Sequence, residues 1–238
     1  MTQIPHDLEA LDAARILVIA PHPDDEALGC GGLLALLAAR DRTIHVVFVT
    51  DGGASHLGST AWPRARLALQ RESEAAAAME ALGLGDHARS FLRLADAAMP
   101  PPDSVEGLRA LDALTKVVRV LMPDLVLLPW RRDPHRDHRD AWALTHAALA
   151  AFDRRPRSLE YAIWLDELGA PEDRPVGGEA ERVAIEISAV QDLKRAAVMA
   201  HVSQTTALIS DDPGAFRLSL ETIDRLTGPL EFYWRPLA

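Results

Sequence analysis

The sequence has very little of several features whose scarcity excludes whole classes of protein. It contains a single cysteine, Cys30, so no intramolecular disulfide can form, which suits a reducing compartment. No apolar run approaches the roughly 20 residues that a membrane-spanning helix needs. The N-terminal stretch "MTQIPHDLEALDAAR" has early acids instead of the apolar core of a secretory signal. We therefore expect a cytoplasmic protein.

Basic residues are outnumbered, with 25 Lys and Arg against 35 Asp and Glu and a formal net charge of -10. Proteins that bind nucleic acid or anionic membranes usually present a basic face, so we expect a small-molecule partner instead. A composition of 48% hydrophobic and 25% charged residues is typical of globular proteins. The 238 residues suffice for one domain, 1–238, and leave assembly into a homo-oligomer open.

The apolar pattern alternates between strands and helices. Strands are predicted at 16–20, 43–50 and 124–128, and helices at 27–39, 64–82 and 108–121, with a surface loop at 97–107. A further helix is predicted from Pro134, capped by Asp133, followed by strands at 159–164 and 182–187 and a helix at 190–201. This order predicts an α/β fold, a Rossmann-like three-layer sandwich with a mainly parallel sheet.

The first predicted strand leads into the turn "PHPDDE". A dinucleotide site would need glycines at this turn so that backbone N–H groups could approach a pyrophosphate. Here carboxylates occupy the turn and would repel phosphate, and the later glycines of "GCGG" favour close helix packing. Alternatively, Asp24 or Asp25 caps the following helix and Glu26 interacts with its dipole. For this motif alone, capping and chemistry are equally good interpretations.

A second polar cluster, "DPHRDH", follows the strand at 124–128. Ligands of open parallel α/β sheets bind beyond the carboxyl ends of the strands, so the two clusters are expected to meet there. His22 and Asp25 could present two metal ligands across the tight turn. Of His135 and His138, which share a helix face, one supplies the third ligand. This set suits a catalytic Zn²⁺ with a position left for water.

Two carboxylates remain near the predicted metal ligands. Either Asp24 or Asp137 could act as a general base or orient a ligand. Outside these clusters, Trp130 precedes the second motif and is followed by two arginines. It either packs in the core or stacks on a sugar, and the sequence favours neither role.

Together the two motifs resemble the signatures of the PIG-L/LmbE-like zinc-dependent de-N-acetylases. "APHPDDEALGCGG" looks like the Ala/Gly-His-Pro-Asp-Asp-Glu signature, and "DPHRDH" is similar to the second motif, His-x-Asp-His. The resemblance covers most of the chain, because "TDGG", "RESEAAAAMEALG" and "KRAAVMAHVSQT" also look like family segments. The first two motifs are specific, and the other three are supportive.

The resemblance implies a role for individual residues. It assigns His22, Asp25 and His138 as ligands of one zinc ion per chain and Asp24 as the general base. His135 would stabilise the oxyanion or protonate the leaving amine, oriented by Asp137. It also implies substrate contacts at Arg71, Asp96 and His201, although "LADAAMP" lacks the glycine that usually follows this acid.

The expected function is a zinc-dependent hydrolase that removes an acetyl or other acyl group from the amine of an N-acetylated sugar or sugar conjugate. The alternatives are an amidase for a non-acetyl sugar or thiol conjugate, a two-metal phosphoesterase, and a non-catalytic metal- or carbohydrate-binding module. Specificity is expected in the loops at 53–63, 95–104 and 168–179.

Overall fold

A seven-stranded sheet forms the centre of the computed structural model, which describes residues 8–237. Its strands are β1 Arg15–Ala20, β2 Thr43–Thr50, β3 Ala88–Leu94, β4 Leu125–Pro129, β5 Arg157–Tyr161, β6 Ala180–Glu186 and β7 Leu230–Pro236. The strand order is β3-β2-β1-β4-β5-β7-β6. The first five of these are parallel to their neighbours, whereas β7 runs antiparallel to β5 and β6. The prediction of a mainly parallel sheet is therefore confirmed.

Helices cover both faces of the sheet. They are α1 Asp25–Ala38, α2 Arg64–Ala81, α3 Val105–Leu121, α4 Arg136–Leu149, α5 Leu165–Leu168, α6 Gln191–Ala200, α7 Val202–Thr205 and α8 Leu220–Leu226. One core contains Leu33 of α1 with Leu127 of β4, and the other contains Leu114 of α3 with Val126 of β4. Because successive strand residues point to opposite faces, β4 is apolar throughout and serves both cores. This arrangement is the expected three-layer sandwich.

The glycines of α1 allow the close packing that the sequence predicted. A Cβ atom at Gly29 would lie 2.4 Å from the ring of Tyr161, and one at Gly32 would lie 2.5 Å from Ile187 Cδ1. Any side chain at these two positions would push α1 away from the elements it covers. Since α1 begins directly after the polar turn, its position against the sheet also fixes the turn.

The start of α4 differs from the prediction. His135, and not Asp133, is the N-cap residue, and its Nδ1 accepts the backbone N–H of Asp137 at 3.2 Å. The Asp133 carboxylate instead accepts backbone N–H groups from His135, Ile163 and Trp164. The bonds from Ile163 and Trp164 hold the segment after β5, a strand that ends at Tyr161 and not at 164 as predicted.

The other differences lie mainly in elements that the sequence did not indicate. The prediction missed β3, β7 and α8, and α3 begins three residues earlier than expected, where the Ser104 hydroxyl accepts the N–H of Gly107 at 3.0 Å. Within residues 8–237, no helix combines the length and the apolar character that crossing a membrane requires.

The order of the strands in the sheet determines where the segments that follow β1 and β4 lie. β1 pairs in parallel with β2 on one side and with β4 on the other. The chain therefore leaves β1 and β4 at neighbouring points of the same sheet edge, where the strand order reverses. A crevice at this switch point is the usual ligand site of such sheets.

Candidate active site

A cavity of about 360 Å³ opens at the carboxyl ends of β1 and β4. Both polar clusters line it, with His22, Asp24 and Asp25 from the first and His135 from the second. A second cavity, of about 480 Å³, lies between β4, β5 and α4 and is lined by leucines and arginines. It holds none of the residues predicted to act in catalysis, so the smaller cavity is the candidate active site.

The three predicted metal ligands lie together in this site. Asp25 Oδ2 is 3.2 Å from His22 Nδ1 and 3.3 Å from His138 Nε2, and it accepts the backbone N–H of His22 at 2.8 Å. All three side chains are buried. The carboxylate therefore lies between the two imidazoles, although the two motifs are more than one hundred residues apart in the sequence.

The surroundings of His22 favour a positive charge. Its Nε2 lies 3.2 Å from Asp137 Oδ2 and 3.3 Å from Asp96 Oδ1, while Nδ1 faces Asp25. Burial opposes the charged imidazole, but hydrogen bonds to these three carboxylates raise the pKa of His22 well above its ordinary value. A metal ion can supply this positive charge as well as a proton can. The donor set, imidazole and carboxylate, suits zinc.

The imidazole of His138 is buried, and neither of its ring nitrogens makes a good hydrogen bond. Its ring nitrogens are 3.3 Å from the carboxylates of Asp25 and Asp133, yet neither nitrogen makes a hydrogen bond of acceptable geometry. Burial opposes its charged form, but these two carboxylates raise the pKa of His138 to about 9. A buried imidazole without a good hydrogen bond is unusual unless it serves another purpose, and metal binding is one.

Among the described residues, two triplets offer ligand atoms that all lie within 4.8 Å of one another, and neither contains Asp25. One is His22 with His135 and His138, and the other is His22 with Asp96 and Asp137. His22 belongs to both, so it is the centre of the candidate metal site whichever set holds an ion.

Asp24 lies at the N-cap position of α1, but its side chain makes no capping hydrogen bond. Capping therefore does not explain this acid. Its backbone φ of 152° is strained for a residue with a side chain. Burial raises the pKa of Asp24 to about 6, although the guanidinium of Arg71, with Nη2 2.9 Å from Asp24 Oδ2, opposes this effect. A carboxylate with such a pKa is suited to accept a proton near neutral pH.

Arg71 lines the cavity as predicted, but its polar contacts are with the protein. Besides the bond to Asp24, its guanidinium donates to the carbonyl oxygens of Gly52 at 2.9 Å and Pro23 at 2.8 Å. Its side chain is almost fully buried. These contacts make it a residue that holds Asp24 in position.

His135 faces the cavity in its neutral form. Burial and the neighbouring histidines His22 and His138 lower its pKa to about 4. Because Nδ1 accepts the Asp137 N–H, we assign the proton to Nε2, which makes that atom a hydrogen-bond donor. The backbone N–H of Asp137 thus orients His135. The carboxylate of Asp137 instead contacts His22 and accepts the N–H of Ala97.

Asp96 lies in the cavity as the family resemblance implied. Its Oδ2 accepts the N–H of Ala54 at 2.8 Å, and Oδ1 faces His22. Burial opposes the ionised form, yet the contacts to His22 and Ala54 lower its pKa. The next residue, Ala97, adopts a φ of 60°, the conformation that favours the glycine missing from this sequence.

Two predicted substrate contacts lie outside the cavity. Trp130 has no exposed surface, and its indole N–H donates to the carbonyl oxygen of Asp173 at 2.7 Å, so it packs in the core and does not reach a sugar in the cavity. His201 is also fully buried, with Nε2 2.9 Å from Glu26 Oε1. Glu26, which the sequence left without a specific role, also accepts the N–H of Asp24 at 3.0 Å.

Four other cavity residues were not predicted as site residues: Trp164, Leu168, Gln204 and Phe216. Of these, Leu168 is the first residue of the loop at 168–179, where specificity was expected. Gln204 lies in the "HVSQT" segment of the family resemblance, which was a signal for it. The other three lie in short or irregular segments where no periodic pattern distinguishes an exposed side chain from one in a site.

Comparison with protein-family models identifies the chain. The PIG-L model, described as GlcNAc-PI de-N-acetylase, matches residues 17–149. This range is more than half of the chain and contains both polar clusters. The chain belongs to the PIG-L family. The matched range includes both motifs on which the family resemblance was based.

Relatives of this PIG-L protein include two enzymes that share most of its length. The 1D-myo-inositol 2-acetamido-2-deoxy-alpha-D-glucopyranoside deacetylase of Mycolicibacterium vanbaalenii is 29% identical and aligns over 94% of this chain and 91% of its own. The "Probable N-acetyl-alpha-D-glucosaminyl L-malate deacetylase 2" of Bacillus subtilis is 30% identical, over 83% of this chain and 86% of its own. Both names describe deacetylation of an N-acetylated sugar conjugate.

A solved structure shows that a similar fold also serves other chemistry. GalB, the 4-carboxy-2-hydroxymuconate hydratase of Pseudomonas putida KT2440, is 25% identical, with a TM-score of 0.59 and coverage of 80% of each chain. The fold alone therefore does not determine the reaction, which has to be inferred from the residues of the cavity.

Proposed function

We propose that this PIG-L protein is a zinc-dependent hydrolase that removes the acetyl group from the amine of an N-acetylated sugar or sugar conjugate. The observation that carries the proposal is the buried cluster in which Asp25 lies between His22 and His138, beside Asp24 and His135. The names of the two deacetylase relatives support the same reaction. Location in the cytoplasm stays a prediction.

His22, Asp25 and His138 would hold the zinc ion. When bound, zinc supplies a Lewis acid that lowers the pKa of coordinated water towards about 7 and polarises an amide carbonyl. Asp24, held by Arg71 at 2.9 Å, accepts a proton from the attacking water. Its elevated pKa allows it to pass the proton to the leaving nitrogen.

His135 assists at the acyl carbon. Its neutral ring offers the Nε2 proton to the oxygen on which negative charge develops, and a fixed donor in a buried site stabilises such charge strongly. Water and the amide are thereby converted into acetate and a protonated amine, which balances atoms and charge.

The cavity disfavours the hydratase reaction of the GalB type. The substrate of that enzyme is by its name a polycarboxylate, which requires cationic partners. Among the described residues, Arg71 is the only lysine or arginine that lines the cavity. Its Nη1 and Nη2 are engaged by Asp24 and by backbone carbonyl groups, and its Nε is buried. A neutral amide fits this set of charges better than a polycarboxylate.

Removal and return of metal test the proposal. Release of free amine from a panel of N-acetylglucosamine conjugates should cease after chelation and return with one zinc ion per chain. Calorimetric zinc binding should be lost in His138→Ala. Full turnover by the metal-free protein would contradict the proposal, and a requirement for two ions would favour a phosphoesterase.

A further inference from the structure

One side of the cavity mouth is apolar and partly exposed. It consists of Trp164, Leu168 and Phe216, which we call the apolar wall. The rings of Trp164 and Phe216 meet edge to face at 5.6 Å, and Phe216 and Leu168 keep 42% and 68% of their surface exposed. Large apolar side chains exposed together at the mouth of a cavity are typical of a binding surface.

Hydrogen bonds from the backbone of Trp164 and Phe216 hold the apolar wall in place. The N–H of Trp164 donates to Asp133 Oδ2, the carboxylate whose other oxygen accepts the N–H of His135. The N–H of Phe216 donates to the carbonyl oxygen of Ser55, another residue of the cavity. Trp164 is thus tied to the carboxylate that also binds the backbone of His135, and Phe216 is tied to the loop that lines the cavity.

Two acids fix the loop that carries Phe216. Asp211 accepts the Ser59 hydroxyl at 2.6 Å and the N–H of Thr60 at 2.9 Å, and Asp212 accepts the N–H of Gly58 at 2.8 Å. These bonds join the loop at 206–219 to the loop that follows β2. Phe216 is therefore preorganised at the mouth, which reduces the entropy lost when a ligand binds.

The charges of the cavity oppose an anionic substituent on the substrate. Its carboxylates are Asp24, Asp25 and Asp96, and its one guanidinium, Arg71, is engaged by Asp24 and by backbone carbonyl groups. A carboxylate on the substrate would enter without a free cationic partner in the described part of the cavity. The Bacillus subtilis relative, by contrast, is named for a malate conjugate.

We infer that the apolar wall binds an uncharged aryl or alkyl aglycone of the N-acetylated sugar. This inference rests on the proposed function, because it names the substrate class of the same site. The sugar amide meets the metal-site residues, and the aglycone covers Trp164, Leu168 and Phe216. A dicarboxylate aglycone such as malate finds neither apolar complementarity nor a cation there.

Three N-acetylglucosaminides of the same anomeric configuration test the inference: the methyl, phenyl and malyl glycosides. For the zinc-loaded protein we expect kcat/KM on the phenyl glycoside to exceed that on the methyl glycoside by about tenfold or more, as for other apolar pocket contacts. The malyl glycoside should be no better than the methyl glycoside. Phe216→Ala should reduce the ratio of kcat/KM on the phenyl glycoside to kcat/KM on the methyl glycoside. Leu168→Ser, which replaces an exposed side chain, should reduce the same ratio. Both changes should act through KM more than through kcat.

Leu208→Ala is the matched control, because Leu208 is 40% exposed on the same loop as Phe216 but does not line the cavity. It should leave the ratio unchanged. A preference for the malyl glycoside would overturn the inference. It would also be overturned if Phe216→Ala lowered kcat/KM on the phenyl and methyl glycosides in equal proportion. Calorimetric binding of the phenyl and methyl glycosides is measured in parallel. If no glycoside is hydrolysed, the proposed function fails, whereas the wall is still judged by whether the phenyl glycoside binds more tightly.

Discussion

The two buried polar clusters on either side of α1 differ in how completely their hydrogen bonds are made. In the support cluster, Glu231 accepts the N–H groups of Gly32 and Leu33, the ammonium of Lys194 at 2.6 Å and the hydroxyl of Tyr233 at 2.7 Å. None of the polar side-chain atoms of these described residues is buried without a partner. Such a network stabilises one arrangement of α1, α6 and β7.

The cluster in the cavity is incomplete by comparison. Both ring nitrogens of His138, Nε of Arg71 and Oδ1 of Asp137 are buried without a hydrogen-bond partner. Burial raises the pKa of Asp24, and the negative charge of Asp25 adds to this effect. Buried polar groups that are fully paired support the fold, whereas those left unpaired retain the capacity to bind a ligand.

The largest effect is expected when the cavity cluster loses its base. Asp24→Asn keeps the size of the side chain and an oxygen that can accept from Arg71, but it removes the proton acceptor. We expect kcat for amine release to fall by about 10²–10⁴-fold, the usual contribution of a positioned base. Calorimetric zinc binding and near-UV circular dichroism should be retained. Activity within tenfold of the wild-type protein would show that another group takes the proton.

The support cluster should respond in the opposite way, with loss of stability and not of activity. Lys194→Met leaves the buried Glu231 carboxylate without its cation, and breaking a buried ion pair costs about 3–5 kcal/mol. Urea unfolding measures this loss, while kcat/KM per folded molecule should change little. The double variant Lys194→Met/Glu231→Gln should recover part of the stability. A stable but inactive Lys194→Met protein would place Lys194 with the cavity cluster instead.

Much of the cavity cluster could be predicted because its residues follow strands directly. The continuous apolar runs of β1 and β4 identify buried strands, and parallel strands bring the residues after them to one edge. The two polar clusters could therefore be expected to meet, whereas the choice of His138 over His135 as a metal ligand came from the family resemblance. The glycines of α1 were also informative, since their late position excluded a phosphate loop.

Of the apolar wall, only Leu168 lies in a loop where the sequence predicted specificity. Trp164 and Phe216 could not be predicted, because their positions depend on contacts distant in sequence. Trp130 and Trp164 are both tryptophans near a strand end. Trp164 lines the cavity, and its backbone N–H is held by the carboxylate of Asp133, 31 residues earlier in the chain. Phe216 reaches the mouth because Asp211 binds backbone about 150 residues earlier. Similarly, β3 is half exposed and lacks the apolar run that identified its neighbours.

The buried pair of Glu26 and His201 belongs clearly to neither cluster. A substitution of Glu26 is therefore expected to have the smallest effect and tests to which cluster the pair belongs. Burial opposes the charged form of His201, but the carboxylate of Glu26 raises its pKa. The other oxygen of that carboxylate accepts the N–H of Asp24, the residue with the strained φ of 152°. Glu26→Gln leaves one carbonyl oxygen for two neighbours.

We expect this variant to lower kcat by about tenfold or less, since the base itself remains, with KM and zinc affinity unchanged. Its free energy of unfolding should fall by about 1–3 kcal/mol, the cost of one unsatisfied buried group. Glu221→Gln, at an exposed position of α8, is the matched control and should change neither quantity. If Glu26→Gln loses stability but keeps its full kcat, Glu26 belongs with the support cluster. A fall in kcat as well means that it positions Asp24, because an exclusively structural residue would not change the rate per folded molecule.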